Sequence, residues 1–145
     1  MKPPLSVDLM SIALQYCHVT VNDVEESLAF YRDGLGLDVT NDVSSGGFRW
    51  VTLGSPAQPG LEIVLSEPHA GRSEADGDAL RELLAKGVMP MLIFRTDDLD
   101  ATFEKVRACG AEVLEEPADQ PWGPRDCAVR DPSGTMIRIA QEPKA

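Results

Sequence analysis

Tyr16 and His18 stand two residues apart in the alternating run Ser11 to Thr20. A strand there puts both, with Thr20, on one face and Cys17, Val19 and Val21 on the other. The pair suits acid–base chemistry, because an imidazole titrates near neutral pH and a phenol can donate to an oxyanion. The plainer reading of His18 is a partly buried ring satisfied by one hydrogen bond. Cys17, Cys109 and Cys127 are scattered and lack CxxC spacing. Neither a zinc knuckle nor a disulfide framework is indicated, and structural burial is expected over nucleophilic use. Trp50, Met89, Met91, Phe94 and Trp122 are candidates for lining an apolar pocket, since a thioether adapts to irregular shapes and an indole offers a flat face with one donor. Ordinary core is the alternative for each. Trp122 stands apart: nothing in its Pro-Trp-Gly-Pro turn favours burial, and such a loop can cover a cleft mouth.

These side chains need a scaffold, and the sequence outlines one. After the first strand, Asp23 can cap a helix with Glu26 three residues on, and Val24, Leu28, Tyr31 and Leu35 form its apolar stripe before Gly34 and Gly36 close it. Leu37 to Val43, Phe48 to Leu53 and Leu61 to Leu65 read as strands separated by glycine- and proline-rich turns. The first half is therefore βαβββ. Ser66 to Gly87 reads as a connector in which Leu80, Leu83 and Leu84 make a short helix. Its acidic part, Glu67 to Asp78 with His69 and Arg72, reads as a solvated loop or a lid. Met89 to Thr96 is then a strand, and Asp98 caps a helix carrying Leu99, Phe103 and Val106. Ala111 to Leu114, Asp126 to Arg130 and Met136 to Ala140 are strands. The junctions Val21-Asn22-Asp23-Val24-Glu25 and Thr96-Asp97-Asp98-Leu99-Asp100 match, which marks one module duplicated. The expectation is an α+β fold in a single domain, residues 1–145. Two βαβββ modules, about 11–66 and 88–142 around a connector 67–87, form a curved eight-stranded mixed sheet with helices outside and a ligand cleft inside.

Composition narrows the function classes. With 43% hydrophobic and 26% charged residues the chain is of soluble globular type. Thirteen basic against twenty-four acidic residues leave a net charge of −11, which repels nucleic-acid phosphates and anionic lipid. No run approaches the ~20 apolar residues of a membrane span, and MKPPLSVDLMS lacks the apolar stretch of a secretory signal. A cytoplasmic location without nucleic-acid or membrane partners is expected.

The segments VNDVEESLAFYRDGLGLDV, RTDDLDATFEKVRACGAEV and QPWGPRDCAVRDPSGTMIRIAQ together resemble the vicinal oxygen chelate superfamily, which includes glyoxalase I, bleomycin-resistance proteins and extradiol dioxygenases. The run FRWVTLGSPAQPGLEIVL extends the resemblance to a bacterial glyoxalase-like subgroup. The resemblance implies a divalent metal held by two histidines and carboxylates facing a cleft, where it acts as a Lewis acid. Carried over residue by residue, the histidine positions are Tyr16 and Met91, and the carboxylate positions are Glu62 and Arg138. Methionine is soft, arginine keeps its proton and neutral phenol binds poorly, so a metal-independent site is expected. His18, about 6.6 Å along the strand from Tyr16, can join Glu62 and Tyr16 as an incomplete ligand set.

Glu62 and Arg138 then take equivalent places in the two modules. One reading makes them a pair that orients a polar or anionic ligand, with Arg138 as clamp and Glu62 as base; the other makes them a structural ion pair. The resemblance also implies a homodimer, because family members complete clefts by pairing chains. It leaves three functions open: a metal-independent lyase or isomerase using Glu62 or His18 as base and Arg138 as anion stabiliser, a non-catalytic sequestering binder, and a metal-dependent lactoylglutathione lyase.

Overall fold

The structure, a computed structural model, describes residues 11–143. The N-terminal stretch read for a signal sequence falls mostly at residues 1–10, outside the described residues. In chain order the elements are β1 (Tyr16–Thr20), α1 (Val24–Leu28) running into a π-helical turn (Ala29–Gly34), β2 (Asp38–Ser45), β3 (Phe48–Gly54), β4 (Glu62–Ser66), α2 (Glu74–Ala85), β5 (Leu92–Thr96), α3 (Leu99–Ala108), β6 (Glu112–Asp119), β7 (Arg125–Arg130) and β8 (Met136–Gln141).

The helix starts follow from their caps. The Asp23 carboxylate accepts from the Glu26 amide, Ser73 from Asp76 and Asp98 from Ala101, each satisfying one of the orphan donors of a first turn. The first helix does not stay α-helical as the apolar spacing suggests. Beyond Leu28 the ladder widens, with the Leu35 amide donating to Phe30 O at 2.8 Å. A π turn brings neighbouring residues to the same side. Phe30 and Tyr31 are therefore both buried, their rings edge to face with centroids 4.9 Å apart, where the 3.6-residue stripe includes only Tyr31. The connector is also more ordered than a solvated loop: α2 begins at Glu74, ahead of the leucine stripe, because Ser73 supplies the cap.

The eight strands form two four-stranded mixed sheets, β1-β4-β3-β2 and β5-β8-β7-β6, each with one parallel pair at the edge. The strands do not merge into one continuous eight-stranded sheet. Each sheet turns one face to a shared core. From the first come Val19, Val51, Leu53 and Leu65, from the second Cys127, Val129, Ile137 and Ile139, with α1, its π turn and α3 between them. A buried polar link crosses the same junction. Tyr31 Oη donates to Asp131 Oδ2 at 2.7 Å, while Asp131 Oδ1 accepts from the amides of Ser133 and Thr135. The Asn22 amide also donates to Ser133 Oγ at 2.8 Å. Burial pushes the Asp131 carboxyl above its usual range despite these donors, and burial beside that carboxylate pushes the Tyr31 phenol well up.

Because side chains alternate along a strand, the face opposite the core is defined as well. Arg49 reaches Glu25 of α1 and so marks the helix side of β3, which leaves Phe48, Trp50, Thr52 and Gly54 on the open side. Gly46 and Gly47, both at positive φ, make the β2–β3 turn that a side chain would strain.

Candidate functional site

On the open face of the first sheet, Tyr16 is in register with Glu62, and His18 with Val64, which is in turn opposite Thr52. Alternation places Tyr16 and His18 on one face of β1, and because register partners share a face the β1–β4 pairing adds Glu62 to them. The Glu62 carboxylate accepts a hydrogen bond from the Thr40 hydroxyl, a partner in β2 that is 22 residues distant. It lies across Gly54, where an added Cβ would sit 3.1 Å from both Cγ and Oε2 of Glu62. The glycine therefore gives the carboxylate room to lie flat over β3. Trp50 is half-buried on the same face, opposite Val43. His18 is exposed, with no hydrogen-bond partner among the described residues, so the expectation of a satisfied, partly buried histidine does not hold.

The second sheet carries a polar cluster centred on Arg138. Its guanidinium donates to Asp126 Oδ2 at 2.9 Å and reaches Glu115 Oε1 at 3.5 Å. Gln120 Nε2 bridges the same carboxylates, donating to Asp126 Oδ1 at 2.8 Å and Glu115 Oε2 at 3.0 Å. The indole of Trp122 lies over the guanidinium at 5.6 Å. A cation facing an aromatic ring at this distance is attracted by the ring's quadrupole. Sequence reasoning missed Asp126, Glu115 and Gln120. The usable signal was the β6–β7 hairpin, which folds Gln120 back beside Asp126 and places Asp126 two residues from Ala128, the register partner of Arg138.

Glu62 and Arg138 are not an ion pair within the chain, since Glu62 is held by Thr40 and Arg138 by Asp126 and Glu115. Met91 is exposed just before β5, and Ile93 beside Arg138 is 67% exposed. Phe94 is on the opposite side of β5, packed against the core, so it is not placed to line a pocket on the open face. Strand alternation separates it from Ile93. Of the three thiols only Cys127 is buried, its pKa pushed up to about 11 mainly by burial; Cys17 and Cys109 are exposed, contrary to expectation.

The donor set does not fit a divalent ion. Tyr16, Met91 and Arg138 stand at three of the four positions, Glu62 is engaged by Thr40, and no group of three or more His, Cys, Asp or Glu side chains among the described residues could hold a metal. A recess of about 400 Å³ and another of about 520 Å³ among the described residues are not lined by Tyr16, His18, Glu62, Met91 or Arg138. What the two faces offer instead is an exposed apolar surface around a few oriented polar groups.

A family model described as the Glyoxalase/Bleomycin resistance protein/Dioxygenase superfamily matches residues 13–139. The chain is 31% identical over 126 residues to the uncharacterized protein YurT of Bacillus subtilis (strain 168), spanning 86% of this chain and 94% of that one. It is 28% identical over 132 residues to a probable lactoylglutathione lyase of Synechocystis sp., spanning 88% and 94%. Among solved structures it matches UcmS2 with a TM-score of 0.80 and 30% identity, over 92% of this chain and 100% of that one. It matches TnmS3, described as an antibiotic binding protein from Streptomyces sp. CB03234, with a TM-score of 0.70 and 25% identity, over 92% and 98%.

Proposed function

The chain belongs to the Glyoxalase/Bleomycin resistance protein/Dioxygenase superfamily, and on that premise we propose that it is a cytoplasmic small-molecule-binding protein that works without a metal. The observation that carries this reading is the apolar surface left open on both sheets. Tyr16, Met91, Ile93 and Trp122 are exposed around Glu62 and Arg138, the few polar groups that would orient a ligand. Exposed apolar side chains grouped near oriented polar ones suit the binding of a small organic molecule. The likeness to TnmS3, described as an antibiotic binding protein, supports an organic ligand. Metal independence is supported by the chemistry of Tyr16, Met91 and Arg138 at the ligand positions.

Each open face carries only part of a site, and β1 and β5 each have a strand partner on one side only. A second copy of the chain completes the cleft by setting the first face of one protomer against the second face of the other. A catalytic reading rests on a different observation, the anchoring of Glu62 by Thr40 on the face that also carries His18. In that reading Glu62 or His18 takes a proton from a small oxygenated substrate and Arg138 stabilises the negative charge that develops. Titrating aromatic compounds against Trp50 and Trp122 fluorescence tests the main proposal: saturable quenching that is unaffected by a chelator is expected. Quenching that requires added metal would overturn it. The Glu62→Gln/His18→Ala double variant separates the two readings, since it abolishes turnover in a catalyst and spares tight binding in a sequestering protein.

A further inference from the structure

Helix α2 and the turns before it form a recess of about 520 Å³ that has no part in the site described above. Phe48 contributes an apolar wall and lies on the open side of β3, two residues from Trp50, so the recess adjoins one end of the first open face. Its polar side is built around His69. The imidazole rests on α2 directly against Gly77, where an added Cβ would come within 2.1 Å of Cδ2. Asp78 Oδ1 holds Nε2 at 2.9 Å, and Arg81 reaches Nδ1 at 3.3 Å. Since an arginine can only donate, Nδ1 is the accepting nitrogen and Nε2–H donates to Asp78.

The arginines in this recess differ from most others in the chain. Arg32, Arg49, Arg95, Arg107, Arg125 and Arg138 each have a carboxylate within 4.0 Å, whereas Arg72 and Arg81 have none among the described residues. Arg72 uses one amino group on Pro68 O, and Arg81 uses one on His69. The remaining guanidinium N–H groups of both border the recess without an acceptor among the described residues. Glu67 and Glu74 also border the recess, so it has no long-range attraction for anions and must recognise them by direct contact.

We infer that this recess receives the carboxylate, sulfonate or phosphate end of an aromatic ligand, with Arg72 and Arg81 as donors, His69 fixing Arg81, and the aromatic body lying over Phe48 and Trp50. The inference rests on the small-molecule-binding reading and adds the ligand class, an aromatic acid. Two fluorescent probes that share an aromatic skeleton test it, anilinonaphthalene sulfonate and the uncharged phenylnaphthylamine. Both are titrated against the full chain, the Arg72→Gln/Arg81→Gln variant, and Arg32→Gln, which removes one charge on the helix side. The sulfonate is expected to bind about tenfold more weakly to the double variant, while phenylnaphthylamine binds all three proteins alike and Arg32→Gln matches the parent. Equal sulfonate affinity in the parent and the double variant, with both probes still binding, overturns the anion recess and leaves the binding reading in place. Failure of both probes to bind the parent overturns the binding reading and this inference with it.

Discussion

Arg138 shows how a side chain's type can be informative while its setting is not. Its place in an apolar strand marks it as a charged residue that needs a partner, and the partners turn out to be Asp126 and Glu115 on β7 and β6 rather than Glu62. Those contacts depend on which strands neighbour one another and on a bulged β6 register, neither of which the order of residues states. Asp126 is 4% exposed, so removing the guanidinium leaves a buried carboxylate supported by Gln120 alone. Arg138→Ala is expected to cost about 3 kcal/mol in urea unfolding, with a change in Trp122 emission as its cation is lost. A cost below about 0.5 kcal/mol would show the cluster to be a solvated surface pair. That Tyr16 and His18 share a face was legible because strand alternation alone sets it, whereas Glu62 joins them only through the β1–β4 pairing, and Thr40 and Gly54, which fix its carboxylate, were not legible.

At the scale of elements, the strands and helices followed from periodicity and cap residues, including the leucine-bearing part of α2, while the start of α2 at Glu74 and the π turn did not. Gly77 inside α2 breaks a local rule, since a helix-interior glycine costs about 1 kcal/mol relative to alanine. The imidazole of His69 occupies the space an alanine methyl would need. Gly77→Ala is therefore expected to destabilise the protein by about 1–3 kcal/mol despite its better propensity. In a His69→Ala background the same change is expected to become neutral or stabilising by up to about 1 kcal/mol. Thermal unfolding of the four proteins in this cycle checks it, and a stabilising Gly77→Ala in the parent would refute the packing argument.

At the scale of the molecule, two features govern behaviour. The first is the Tyr31–Asp131 link between modules. Burial raises the Asp131 carboxyl pKa in the folded chain above that of the unfolded chain. The folded state then holds this proton more tightly, so the contribution to stability is full below an unfolded pKa of about 3.9 and is lost as pH rises through the raised folded value. The stability of the parent relative to Asp131→Asn is accordingly expected to fall as pH is raised from about 4 to 7, by denaturant unfolding at each pH. The second feature is the pair of open faces. Ile93→Glu alters an exposed side chain beside Arg138, so folding of the single chain should change by less than about 0.5 kcal/mol, while dissociation of the proposed dimer, measured by sedimentation, should become at least about tenfold easier. The duplicated module was legible from its repeated junction. The division into two sheets was not, because it depends on how the π turn after α1 packs against α3.

The central claim is that the site holds an organic ligand without a divalent ion, and elemental analysis of untagged protein tests it most directly, paired with thermal shift in Zn²⁺, Ni²⁺, Mn²⁺ and Fe²⁺. The account predicts metal far below one ion per chain and no stabilisation by any of the four. Near-stoichiometric metal that disappears in Glu62→Ala or His18→Ala would contradict it and make a metal-dependent enzyme the better reading.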